Sequence, residues 1–172
     1  LGYLFALPLP PAIGLDPTFS RPHAGLSFTH WQSAFQHWGH RDQDIAQALE
    51  TAGRGLIVDD HDPAAHWAMG RALWLRGRQD QSLVELERAV DLSPNFALGH
   101  YTLAFVLAQA GDPLAAIRYS DHSRQLSPFD PLLFGMRQQA GRAPTTSAYP
   151  NNLFTWLGGR YRLEVQEPIT QL

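Results

Sequence analysis

Shifted against itself by 34 residues, the chain superposes Gly77 on Gly111, Leu92-Ser93-Pro94 on Leu126-Ser127-Pro128, His66 on His100 and Leu73 on Leu107. A period of this length suits a helical hairpin, with a first helix ending near a Gly that permits a tight turn and a second closing before a Pro that cannot continue it. One hairpin cannot bury its own apolar face, so neighbours must stack. The period therefore commits this part of the chain to a helical solenoid.

The unit at 63–96 opens with Asp62 as helix N-cap and Pro63 at the first helical position. Met69, Gly70 and Leu73 supply apolar and small residues where two helices approach. After Gly77, the spacing of Leu83, Leu86, Ala89 and Val90 predicts an amphipathic second helix ending at Leu92. The unit at 97–130 repeats this plan with Leu103, Ala104 and Leu107, then Gly111, then Ala116 and Ile117. Upstream, Leu15-Asp16-Pro17 reads as the end of another unit. The next such end, Val58-Asp59-Asp60, lies 43 residues on, which predicts an elongated unit over about 20–60 with a first helix from 20 to 40 and a second from 42 to 58. Downstream, DPLLFGMRQQ predicts an end helix over 130–140. The extension at 141–172 alternates around Gly158-Gly159, which fits either a β-hairpin or the turn of one more degenerate helical unit. The expected fold is all-α, a right-handed α-α superhelix with a non-repeat C-terminal tail, and 15–140 form its helical domain.

At 172 residues, with 17% charged and 44% hydrophobic side chains, the chain has the composition of a folded globular protein. A net charge of -3 gives no general attraction to nucleic acid or anionic lipid. With no cysteine there is no disulfide, thiolate metal site or cysteine nucleophile, and a reducing cytoplasm is the expected location. The apolar segment 1–14 is interrupted by Pro8, Pro10 and Pro11, so no membrane span is expected there. The lack of an initiating Met leads to the expectation of a fragment or a processed chain.

Gly70, Ala104, Ala116, Pro94 and Pro128 stand where the tetratricopeptide repeat pattern has small residues and its closing proline, and over roughly 15–136 the chain resembles that family. Ser120 and Ser123 replace the pattern's aromatic residue and Ala, which predicts a looser last hairpin. The runs AGLSFTHWQSAF, DPAAHWAMGRALWLRG and LSPFDPLLF look like the tetratricopeptide region behind winged-helix or nucleotide-cyclase domains of bacterial regulators. The resemblance implies an interaction or signalling module. It also implies a concave face lined by Ala64, Trp67, Arg71, Trp74 and Leu75 in one unit and by Leu98, Tyr101, Phe105, Ala108 and Gln109 in the next. With one cation among these residues, a clamp for a terminal carboxylate is not expected. Trp67, Arg71 and Trp74 share a helix face and suit an apolar peptide or helix with one charge-assisted contact, while the same tryptophans equally suit packing against the preceding unit.

Eight histidines raise the question of a metal. His30, His37 and His40 fit one stripe of a long helix as weak candidate ligands, but no carboxylate completes a set, so no metal or other cofactor is expected. His66 and His100 read as repeat-register packing residues. No G-x-S-x-G elbow or phosphate loop occurs, all 13 basic residues are arginines, and Asp59-Asp60 and Glu85-x-Glu87 read as a helix end and a solvated face. The expectation is a non-enzymatic scaffold or sensor whose partner is a protein, a peptide or an effector domain of the same polypeptide, with homodimerisation compatible. A regulator binding a small molecule among Trp67, Trp74, Tyr101 and Phe105 is the alternative, and an enzyme built from the histidines and termini a lesser one.

Overall fold

A computed structural model describes residues 9–128. Its helices are α1 (Leu9–Leu15), α2 (Arg21–Gln36), α3 (Arg41–Val58), α4 (Pro63–Leu75), α5 (Gln79–Leu92), α6 (Ala97–Ala110) and α7 (Pro113–Leu126). Among the described residues there is no strand. Three antiparallel hairpins, α2–α3, α4–α5 and α6–α7, stack in a right-handed superhelix; each second helix packs on the next first helix, and the first helices α2, α4 and α6 also touch in turn.

Each hairpin is clipped by one serine. Ser27 Oγ donates to the Ala48 carbonyl between α2 and α3 (2.8 Å), Ser82 Oγ to Gly70 between α5 and α4 (2.7 Å), and Ser123 Oγ to Ala97 between α7 and α6 (2.8 Å). A hydroxyl spent on a carbonyl across the hairpin is satisfied where a bare polar group would be costly. Ser123, which stands where the pattern has Ala, is 3% exposed and spends its hydroxyl across the last hairpin.

The predicted punctuation operates physically. Asp62 Oδ1 accepts from Ala64 N (3.0 Å) ahead of Pro63, and Asp112 Oδ1 accepts from Ala115 N (2.9 Å) ahead of Pro113. Gly77 (φ 81°) and Gly111 (φ 88°) take the left-handed conformation that closes α4 and α6. Between α4 and α5 the helices approach so closely that a Cβ on Gly70 would lie 2.6 Å from Leu86 Cγ. The first hairpin's core joins Trp31, Ala34, Ile45 and Ala48 to Ala72 and Leu75 of α4, which fixes the first inter-unit angle.

One element differs from the sequence reading, and one lies where that reading assigned none. The first helix of the elongated unit ends at Gln36, not 40, because His37 enters the left-handed region (φ 56°) and Trp38 N bonds back to Ser33 O (3.0 Å). Leu9–Leu15, at the end of the apolar N-terminal segment, is helical, since Pro10 and Pro11 fall in the first turn, where no backbone N–H is needed. The expected end helix at 130–140 and the β-hairpin signal in 141–172 lie outside the described residues. No helix among the described residues is long and apolar enough to cross a membrane.

Candidate functional site

The first helices α2, α4 and α6 bring a continuous set of aromatic side chains together. From α2, Phe28 lies 5.4 Å from Trp67, and Phe35 lies 4.7 Å from Trp31 and 6.1 Å from Trp74. Trp74 continues the series edge-on to Phe105 of α6 at 4.9 Å. The result is a ladder of rings running across three units. Its indole nitrogens are tied off as well: Trp67 Nε1 donates to Thr102 Oγ1 (2.8 Å), Trp74 Nε1 to Gln109 Oε1 (3.1 Å) and Trp31 Nε1 to the Arg71 carbonyl (3.1 Å).

Of the two readings open for these aromatics, packing describes several of the residues that the resemblance assigns to a concave face. Trp67 is only 6% exposed, and Leu75, Tyr101 and Phe105 are likewise buried. Their surface is used where neighbouring first helices meet, because α2 brings Phe28, Trp31 and Phe35 against positions that a shorter aliphatic helix would leave open. Trp74, Ala64, Leu98 and Ala108 are partly buried and Gln109 is exposed. Phe28, 36% exposed, remains at the rim. The repeat register does not point to Phe28, Trp31 and Phe35 as site residues, although their spacing of three and four marks one helix face.

Arg71 sits inside the ladder. Its guanidinium carbon lies 3.5 Å from the Trp31 ring centroid, 4.8 Å from that of Phe28 and 4.9 Å from that of Trp67. Nε is out of reach of solvent and has no hydrogen-bond partner among the described residues, while the residue as a whole keeps some exposed surface. Burial pulls the guanidinium's pKa down to about 9 and the nearby Tyr101 opposes the shift, so the group stays cationic at neutral pH. No carboxylate of the described residues lies within 4.0 Å of it. A cation stacked on three rings is partly compensated by their quadrupoles, yet it retains donors for an anion.

Two histidines, His66 and His100, serve the scaffold. His37 closes α2 and His40 precedes α3, both exposed, so with His30 on α2 they do not form one helical stripe. His66 Nε2 and His100 Nε2 each bond the carbonyl six residues upstream, Asp60 and Pro94, both at 2.8 Å. The repeat-equivalent histidines thus tie down equivalent turns. Glu85, read as solvated, is partly buried and lies 2.7 Å from His66 Nδ1. Asp59, Asp60 and His61 form an exposed group at the α3–α4 turn.

No protein-family model matches the chain, and no curated protein does. Among solved structures, the chain is similar to one described as "Crystal structure of MamA", at 17% identity and a TM-score of 0.55, over 89% of this chain and 82% of that one. A second, "MamA MSR-1 C2", is 19% identical with a TM-score of 0.50, over 72% of this chain and 66% of that one. These likenesses are of fold, a stack of tetratricopeptide-type hairpins.

Proposed function

We propose that this chain is a protein-interaction scaffold whose concave face receives a peptide, a helix or an effector domain, and that Arg71 is the group that reads an acidic side chain on that partner. The observation that carries this reading is a cation held on Phe28, Trp31 and Trp67 with no carboxylate of the described residues against it. Phe28 beside it, and Trp74 one turn on with Gln109 bonded to its indole, keep some surface and offer an apolar rim with one amide. That mixture suits an amphipathic helix with a single acid. Because the aromatic ladder fixes the guanidinium in advance, little side-chain entropy is lost when the anion arrives.

The test is a pair of fluorescein-labelled amphipathic helical peptides differing only by Glu or Gln at one central position, titrated by anisotropy. The reading expects about fivefold or greater preference for the Glu peptide, abolished in Arg71→Gln with the fold retained by circular dichroism. Equal affinity for both peptides, or a Glu preference that survives Arg71→Gln, contradicts it.

A further inference from the structure

A cleft of about 300 Å³ lies between α2 and α3, away from the aromatic ladder, and is lined among others by His30, Ser33, Trp38, His40 and Asp44. Asp44 is the charge in it. Its side chain is 14% exposed, and Ser33 Oγ donates to Oδ2 at 2.8 Å. Oδ1 has no hydrogen bond from any described residue, and no arginine of the described residues reaches the carboxylate within 4.0 Å. The nearest ionisable group is His30, whose Nδ1 stands 4.0 Å from Oδ1, too far for a hydrogen bond. Burial lowers the His30 pKa below 6.5 although Asp44 opposes it, so the imidazole is neutral at pH 7 and gives the carboxylate no cationic partner beyond the helix N-terminus it stands on.

The walls are equally specific. The turn closing α2 carries Trp38, whose N–H bonds to Ser33 O (3.0 Å) while His37 N bonds to Ala34 O (3.4 Å), the double bond pattern of a Schellman turn. A residue in that position ordinarily lays its apolar side chain back on the helix, yet Trp38 is 52% exposed. Next to it, a Cβ on Gly39 would fall 2.8 Å from Asp44 Oδ2 and 3.1 Å from Ser33 Oγ. The loop backbone therefore covers the Oδ2 side of the carboxylate, which leaves Oδ1 as the side for a ligand.

We propose that this cleft binds an alkylammonium group, its nitrogen held between Asp44 Oδ1 and His30 Nδ1 and its carbon frame against the Trp38 indole. With the His30 proton on Nε2, Nδ1 and Asp44 Oδ1 are two acceptors 4.0 Å apart that cannot bond each other. They can share one donor nitrogen at roughly 2.8 Å from each, subtending about 90°, which an ammonium's diverging N–H bonds accommodate. An aromatic wall beside a carboxylate favours an organic cation over an inorganic one, since only the former uses both charge and surface. The cleft's volume, at the low end for small-ligand sites, suits a short chain. The site is independent of the Arg71 reading.

The experiment titrates the full chain with n-butylammonium chloride, with n-butanol as the neutral comparison, and follows the Trp38 indole N–H cross-peak, assigned by its loss in Trp38→Phe. The expected result is a saturable shift with butylammonium and none with butanol. Asp44→Asn, which retains the Ser33 contact, weakens binding about tenfold or more; the unchanged indole peaks of Trp31 and Trp67 report its fold. Trp38→Leu, at an exposed position that does not endanger the fold, weakens binding about threefold when followed on His30. A blocked Gly-Lys-Gly peptide separates the sources: tighter binding than butylammonium assigns the site to a lysine of a partner, weaker binding to a free amine. Equal shifts with butanol, no saturation, or undiminished binding in both variants overturns the proposal.

Discussion

Trp31 and Arg71 hold each other twice, since the Arg71 guanidinium carbon stacks 3.5 Å from the indole centroid while the indole N–H donates to the Arg71 carbonyl at 3.1 Å. The two residues belong to α2 and α4, so one side-chain pair sets both the spacing of two repeats and the orientation of the cation between them. Trp31→Phe keeps a ring but removes the indole donor to the Arg71 carbonyl, and a loss of about 0.5–1.5 kcal/mol is expected in urea unfolding. Trp31→Ala removes the stack as well and is expected to lose about 3–5 kcal/mol.

Two glycines in helix interiors should respond to alanine with opposite signs. At Gly70 the added Cβ meets Leu86 Cγ at 2.6 Å and the Ser82 carbonyl at 3.1 Å, and the Ser82 clip forbids the helices to move apart. Overpacking of this kind costs about 1–3 kcal/mol, which outweighs the helix propensity gained. At Gly53 the nearest atom is Met69 Cε at 3.7 Å, an ordinary contact. Gly53→Ala is expected to stabilise by about 0.5–1 kcal/mol. Thermal unfolding of the two variants beside the parent checks both.

Asp62 carries more than a helix cap. It accepts from Ala64 N, bonds Ser20 Oγ, and lies 3.9 Å from Arg21 Nε, which joins the start of α2 to the start of α4 while the carboxylate itself is buried. Asp62→Ala leaves the Ser20 hydroxyl and the helix N-terminus unsatisfied together, with an expected loss of about 2–4 kcal/mol. The equivalent Asp112→Ala, which frees only the cap to Ala115, is expected to lose about 1 kcal/mol in the same urea series.

Stability should fall with acid beginning at pH 6.5. His23, His30 and His100 all have pKa values lowered from 6.5, in each case mainly by burial; Arg54 adds to the effect at His23 and His122 at His100, while Asp44 opposes it at His30 and the Pro94 carbonyl bond opposes it at His100. Above pH 6.5 both folded and unfolded chains are neutral at these sites and the full stability is present. Below it the unfolded chain takes up protons first, so stability is lost until the folded values are reached. Urea midpoints between pH 8 and pH 5 check the slope. His100→Gln, which keeps a donor for the Pro94 carbonyl, should flatten it.

What the sequence discloses is local. Gly77, Gly111, Asp62-Pro63 and Asp112-Pro113 act through their own backbone, so turn and cap chemistry is enough to place α4 to α7 along the chain. The fate of Trp67 and Trp74 is decided elsewhere, by Phe28, Trp31 and Phe35 in a unit whose length breaks the 34-residue register, so self-comparison does not align the rings that face each other. The α2 terminus falls short of its expected position because His37, a residue with a Cβ, takes the left-handed conformation that Gly39 advertises. The serine clips and the Asp44 cleft depend on which face of one helix meets which carbonyl or loop of another, and composition carries no record of that.

At the centre of the proposed function stands Arg71, a pre-positioned cation that awaits a partner's carboxylate. Its Nε–H, stacked on Trp31 and without a hydrogen-bond partner among the described residues, is a direct reporter in a ¹⁵N-resolved NMR titration. The Glu peptide is expected to move this one side-chain resonance strongly as its carboxylate pairs with the guanidinium, while the Gln peptide leaves it nearly in place. Equal displacement by both peptides, or a resonance that stays fixed while the Glu peptide binds, would contradict that role.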